Sequence, residues 1–144
     1  MIIATKRGNI LNNCERRIAF AFNTDGKIDS DFLIMIVHRY WPELAKVGKS
    51  ALGTVHTKKV EGIEFFALCC RSHDHGWFDQ EGDVKRCFDA IPGDEPVAAT
   101  EIGTDFLSVL NGANYDLIQA GMQTSEKEII LYHECWGTTD GFNR

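Results

Sequence analysis

The chain has little of what staples, anchors or charges a small protein. Its five cysteines, Cys14, Cys69, Cys70, Cys87 and Cys135, are odd in number and nowhere spaced Cys-x-x-Cys, which argues against a disulfide framework or a zinc ribbon and leaves reduced thiols. No apolar run approaches the roughly 18 residues needed to cross a bilayer. The opening Met1 to Arg7 is too short and wrongly ordered for a signal peptide, so a soluble, cytoplasmic protein is expected. Basic residues are the minority, 15 against 21 acidic, for a net charge of -6. That balance argues against charge-driven binding to bulk nucleic acid or to a membrane, both of which need clustered Lys and Arg. Repeats and low-complexity stretches are missing too.

What is present is apolar patterning. At 144 residues and 44% hydrophobic the chain is the size of one domain, which buries about 68 to 70% of its unfolded surface without staples. A single domain over residues 1–134 and a surface tail over 135–144 are expected. Ile2 to Thr5 predicts an edge strand that turns at Gly8. Arg16 to Phe22 predicts a strand covered on both faces, ending in the turn-rich Asn23-Thr24-Asp25-Gly26-Lys27. Phe32, Leu33, Ile36, Val37 and Tyr40 fall at helical spacing, with Asp29 or Ser30 as N-cap and Pro42 ending or kinking the helix. Ala51 to Lys59 and Ile63 to Cys70 predict an antiparallel hairpin through Val60-Glu61-Gly62.

Beyond a polar stretch from Arg71 to Gly82, the residues Val84, Cys87, Phe88 and Ile91 mark one face of a helix capped by Asp83 and ended by Pro92-Gly93. Val97 to Thr100 is an apolar strand that runs into a Gly-containing loop. Strands ending this way expose backbone N–H groups to anions. A helix marked by Ala113, Leu117, Ile118, Gly121 and Met122 leads to the apolar run Ile129 to Tyr132. Strand, helix and strand make a βαβ unit, so the last two strands are expected to be parallel and interior.

These residues carry a family resemblance over nearly the whole chain: it resembles a macro domain, the ADP-ribose-binding α/β module, in its small deacylase-like branch. Gly8-Asn9-Ile10-Leu11 resembles the family's Gly-Asp-Ile loop, Asn23 to Lys27 its Asn-x-x-Gly loop, and Ile102-Gly103-Thr104 its phosphate-cradling loop. The resemblance implies a three-layer α/β/α fold with a mixed, mostly parallel sheet. It also implies a cleft at the carboxyl ends of the strands for ADP-ribose or a related NAD-derived nucleotide, free or on a modified macromolecule, with no separate cofactor. Within it Asn9 faces adenine, Asn23 the distal ribose, and Tyr132 stacks. The implied ligand-binding set is Gly8, Asn9, Ile10, Asn23, Gly26, Lys27, Ile102, Gly103, Thr104, Asp105, Phe106 and Tyr132.

The departures have physical meaning. Asn9 stands where the family has Asp and still accepts from an amino group, without the charge. After Gly26 the chain runs Lys27-Ile28-Asp29-Ser30-Asp31 in place of further glycines. Asp105 puts a carboxylate beside the expected diphosphate, which repels it unless a cation or Lys27 compensates.

Chemistry is open on several readings. Asn23 either positions a water or ribose hydroxyl or ties its own turn. Asp25 and Asp105 are a general base or nucleophile, or solvated loop carboxylates. Lys27 and Arg71 meet phosphate or are surface charges; Arg71, near where the family branch places a catalytic lysine, stays protonated and cannot act as an amine nucleophile. His73-Asp74-His75 supplies only two metal ligands and would need His56 or His133, so a polar loop over the pocket is preferred to a metal site, with Trp77 or Phe78 covering a bound base or ribose. Tyr132 is a stacking ring or a core aromatic. Binding is the first expectation. The alternatives are a hydrolase acting on the terminal ribose through Asn23, Asp25 or Asp105, as a phosphatase or in de-ADP-ribosylation or deacylation, and a sequestering or interaction module with a degenerate site.

Overall fold

The computed structural model describes residues 1–12, 14–71, 81–100 and 115–133. In chain order the elements are β1 (Ile2–Arg7), a 3-10 turn (Ile10–Asn12), β2 (Arg17–Asn23), α1 (Asp31–Arg39), a second 3-10 helix (Pro42–Lys46), β3 (Val55–Val60), β4 (Ile63–Arg71), α2 (Glu81–Asp89), β5 (Val97–Thr100), α3 (Tyr115–Thr124) and β6 (Ile129–His133). The strands form one sheet in the order β1-β6-β5-β2-β4-β3. Every pairing is parallel except that of β3 with β4. The sheet is therefore mixed and mostly parallel, with β1 at an edge and β5 and β6 interior.

A strand buried on both faces sends successive side chains into two separate cores. In β4, Phe66, Leu68 and Cys70 join α2 and α3 residues on one face, among them Val84, Cys87, Phe88 and Met122. Phe65, Ala67 and Cys69 join Phe32, Leu33, Ile36, Trp41 and Leu44 on the other. The same alternation in β2 puts Ala19 on the first face and Ile18, Phe20 and Phe22 on the second. The result is a three-layer α/β/α sandwich, with α2 and α3 on one side and α1 and both 3-10 segments on the other. Cys69 and Cys70 are thus committed to opposite cores, and burial pushes the Cys69 thiol up to about 11.

Local chemistry sets the connections. Ser30 takes the N-cap of α1, its Oγ accepting from Leu33 N at 3.2 Å, so Asp29 is not the cap. The hairpin turns through Glu61 (φ 53°) and Gly62 (φ 80°), both left-handed, as a two-residue turn requires. Its first strand starts at Val55 rather than Ala51. Residues 51–54 are instead a turn closed by Thr54 N donating to Ala51 O, at 3.1 Å, with Gly53 N on Cys69 O at 2.9 Å. Likewise α2 begins at Glu81, so Asp83 lies inside its first turn rather than capping it. The residues expected as a tail, 135–144, and the stretch 72–80 lie outside the described residues.

The amino-terminal edge of the sheet is tied by two charges. Arg17, 9% exposed, reaches Glu95 O at 2.5 Å, Pro92 O and Glu64 Oε1, and its guanidinium lies over the Phe66 ring. Asp89 closes α2 onto the α3–β6 connection, accepting from Ser125 Oγ at 2.6 Å, Glu126 N at 2.8 Å and Lys85 Nζ at 2.5 Å. Partial burial opposes its ionisation. The bonds from Lys85, Ser125 and Glu126 outweigh that and hold the carboxyl below its ordinary 3.8. A carboxylate lowered in the folded state contributes stability that is complete above the unfolded value and is lost as pH falls through the folded one. Urea melts from pH 6 to 2 should therefore show the stability gap between the wild type and Asp89→Asn closing below about pH 4, the ordinary aspartate range.

Candidate functional site

Parallel strands end together, so the carboxyl ends of β1, β6, β5, β2 and β4 share one edge of the sheet. Across it, in order, stand the Gly8 turn, His133, Thr100, Asn23 and Arg71. From β1 to β2 is three strand spacings, about 14 Å at the usual 4.8 Å each. An extended ligand can span that row. Thr100, 7% exposed, hands the chain to residues 101–114, so Ile102, Gly103, Thr104, Asp105 and Phe106 lie outside the described residues.

Asn23 is the centre of the described part. β2 and β4 are in register to Phe22 opposite Cys69, then β4 advances two residues while β2 advances one, and Asn23 comes opposite Arg71. Its Nδ2 donates to Lys27 O at 2.8 Å and to Asp29 Oδ1 at 2.9 Å. The same Asp29 oxygen is 3.5 Å from Arg71 Nη2. Arg71 is 1% exposed, so the reading of it as a surface charge does not hold. Because Nδ2 faces two acceptors, a flipped amide would set oxygen against oxygen, and the Asn23 orientation is fixed by its neighbours. The consequence is that Asn23 Oδ1, fully buried, has no hydrogen-bond partner among the described residues.

The loop after Asn23 is shaped by close backbone approach. Thr24 N donates to Arg71 O and Ser50 N to Thr24 O, at 2.9 and 2.7 Å. Gly26 has φ 80°, and a Cβ there would stand 2.5 Å from Gly48 O. No other residue fits without displacing backbone. Asp25 Oδ1 accepts from Lys27 N at 3.0 Å in an Asx turn, and its Oδ2 is 3.9 Å from Lys27 Nζ, whose side chain is 68% exposed. That exposed pair adds little stability.

At the other end of the row Gly8 has φ 108° and starts the turn into Ile10. Asn9 Oδ1 accepts from Leu11 N at 2.9 Å, capping the 3-10 turn. Ile10 is buried in the core beside Ala98 and Tyr132. Tyr132 is itself fully buried, with its hydroxyl donating to Glu15 Oε2 at 2.5 Å and Lys6 Nζ 6.0 Å from its ring centre. Burial first, then the Glu15 carboxylate, push the phenol well above its ordinary value. Its surroundings are those of a core aromatic.

Of the residues singled out in the sequence, the structure brings Asn23, Gly26, Lys27 and Arg71 together at one end of the row and Gly8, Asn9, Ile10 and Tyr132 at the other. His73, Asp74, His75, Trp77 and Phe78 lie outside the described residues. Among the described residues no group of three His, Cys, Asp or Glu side chains converges as metal ligands, and no helix is long and apolar enough to cross a membrane. Of the two cap candidates in the sequence, Ser30 is the cap, and Asp29 instead holds Asn23 and Arg71. Two adjacent cap candidates, of which only one can cap, were the available signal.

No protein-family model matches the sequence, and no curated protein matches it. Solved structures do. The macrodomain of Mycobacterium tuberculosis DarG aligns over 92% of this chain and 97% of its own, with a TM-score of 0.61 at 15% identity. The macrodomain of Thermus aquaticus DarG aligns over 93% and 98%, at 0.58 and 13%. The chain has a macrodomain fold. It also matches an alphavirus structure titled P23pro-zbd, at 0.60 and 13%, where it spans about a fifth (21%) of that chain and the match takes in 90% of this one. At such identities the likeness carries the layers and strand order of a macrodomain and leaves the site residues to be argued from this chain.

Two outcomes follow for the Asn23 end of the macrodomain edge. Gly26→Ala should lower unfolding free energy by about 2 kcal/mol or more, since it forces both a left-handed Cβ and a backbone clash. Asp29→Ala removes the carboxylate shared by Asn23 and buried Arg71 and should cost about 3 kcal/mol. Denaturant melts of both variants check these values.

Proposed function

We propose that the protein binds ADP-ribose or a related NAD-derived nucleotide along the carboxyl edge of its sheet. The observation that carries the reading is Asn23 Oδ1: a buried acceptor, fixed in orientation, with no partner among the described residues. An unsatisfied buried acceptor costs about 1 to 3 kcal/mol, which a donor from a ligand restores. A ribose hydroxyl is such a donor. In this reading the distal ribose lies against Asn23 and the Gly26 loop, and the diphosphate on backbone N–H groups of that loop and of Ile102-Gly103-Thr104. The adenine end lies at Gly8-Asn9-Ile10, with Tyr132 beneath. Lys27, exposed at the loop, offsets phosphate charge and the carboxylate of Asp105.

A second reading has a specific observation behind it. Asp29 already engages Asn23 and Arg71, as expected of a site closed by its own side chains. Calorimetry with ADP-ribose separates the two: binding gives saturable heat that weakens about tenfold in Asn23→Ala, one hydrogen bond's contribution, and no heat supports the closed site. Mass spectrometry of the recovered nucleotide then distinguishes a binder from a hydrolase. Turnover lost in Asp25→Asn or Asp105→Asn with affinity retained identifies the hydrolase.

A further inference from the structure

Beside the edge just described, the chain from Gly48 to His56 carries a pair of side chains that nucleotide binding does not use. Ser50 Oγ and His56 Nε2 are 2.8 Å apart. Both residues are half-buried, so the pair is held by the fold and still reachable from solvent.

Each partner sits on fixed backbone. Ser50 N donates to Thr24 O at 2.7 Å, and Cys69 N donates to Thr54 O at 2.9 Å. His56 lies in β3 opposite Ala67 of β4, with the Phe22 ring edge-on at 6.2 Å. Burial keeps the Cys69 thiol, on the strand paired with β3, protonated. In the neutral tautomer with Nε2 unprotonated, the Ser50 hydroxyl donates to that nitrogen. Burial favours the neutral ring, holding the imidazole below its ordinary 6.5.

We propose that Ser50 is a nucleophile toward acyl and phosphonyl electrophiles, with His56 Nε2 as its general base. With a carboxylic ester, Oγ bonds to the acyl carbon while its proton passes to Nε2. The tetrahedral adduct then collapses as the C–O bond to the leaving alcohol breaks, and that alcohol takes the proton from the imidazolium. Water attacks the seryl ester, giving a proton to Nε2, and the carboxylic acid leaves as Oγ regains its hydrogen. A neutral base beside the hydroxyl is what lets a serine of ordinary acidity react near neutral pH. This activity stands apart from nucleotide binding, since neither group belongs to the proposed cleft.

The test uses a fluorophosphonate, which serine Oγ attacks at phosphorus with loss of fluoride. The whole chain is incubated with the reagent without nucleotide, and the adduct is located by peptide mass mapping. A single adduct on Ser50 is expected, absent in Ser50→Ala and formed at least 100-fold more slowly in His56→Gln at pH 7.5, the lower bound for a general base. The wild-type rate should fall as pH drops through a midpoint below 6.5. No adduct on Ser50 in protein whose melting curve shows it folded overturns the proposal. So does an adduct on another serine, or a rate unchanged in a folded His56→Gln.

Discussion

Parallel pairing of β1, β6, β5, β2 and β4 is the constraint on which the rest depends. Strands that run the same way must finish on the same edge, and the chain has to return over the faces of the sheet to start each new one. That return path puts α1 on one side and α2 and α3 on the other, and it makes the central strands apolar on both faces. It also leaves at one edge a row of strand ends where backbone direction changes and polar side chains can gather. Nearly every residue discussed as functional, from Gly8 to Arg71, owes its place to this.

Within that row a single carboxylate organises the described end. Asp29 is available because Ser30 takes the helix cap, and its Oδ1 then serves both the Asn23 amide and the Arg71 guanidinium. Arg71, with 1% of its surface exposed, could not stay buried without such a partner. The same bond turns the Asn23 amide so that its oxygen is left over. One capping choice, Ser30 over Asp29, thus decides the polarity of a site at the end of β2.

Much of the fold was legible because periodicity reports burial directly. The two-face burial of β2 follows from Ile18-Ala19-Phe20-Ala21-Phe22, and the single buried face of α2 from the spacing of Val84, Cys87, Phe88 and Ile91. The hairpin was legible from Glu61-Gly62, and the parallel β5–β6 pair from the helix between them. What sequence could not supply were properties that depend on a distant neighbour. Arg71 ends a strand as many surface residues do, and its burial comes from the slip that places it opposite Asn23. Tyr132 reads equally as a stacking ring or a core aromatic until β1 is seen beside it. The choice between Asp29 and Ser30 as cap turns on side-chain geometry, since both residue types cap well. Nor does spacing six residues apart announce Ser50 and His56 as neighbours, because a turn at residues 51–54 brings them together.

The central claim is that one edge of this sheet is a nucleotide site laid out from β1 to β4. Titrating ADP-ribose into isotopically labelled protein and following the backbone amide resonances tests it most directly. The account predicts shifts that saturate together at Gly8, Asn9, Gly26 and Lys27, while Gly93 and Glu95 at the opposite edge stay still. Shifts gathered around Gly93 and Glu95, or none anywhere at saturating nucleotide, would contradict it.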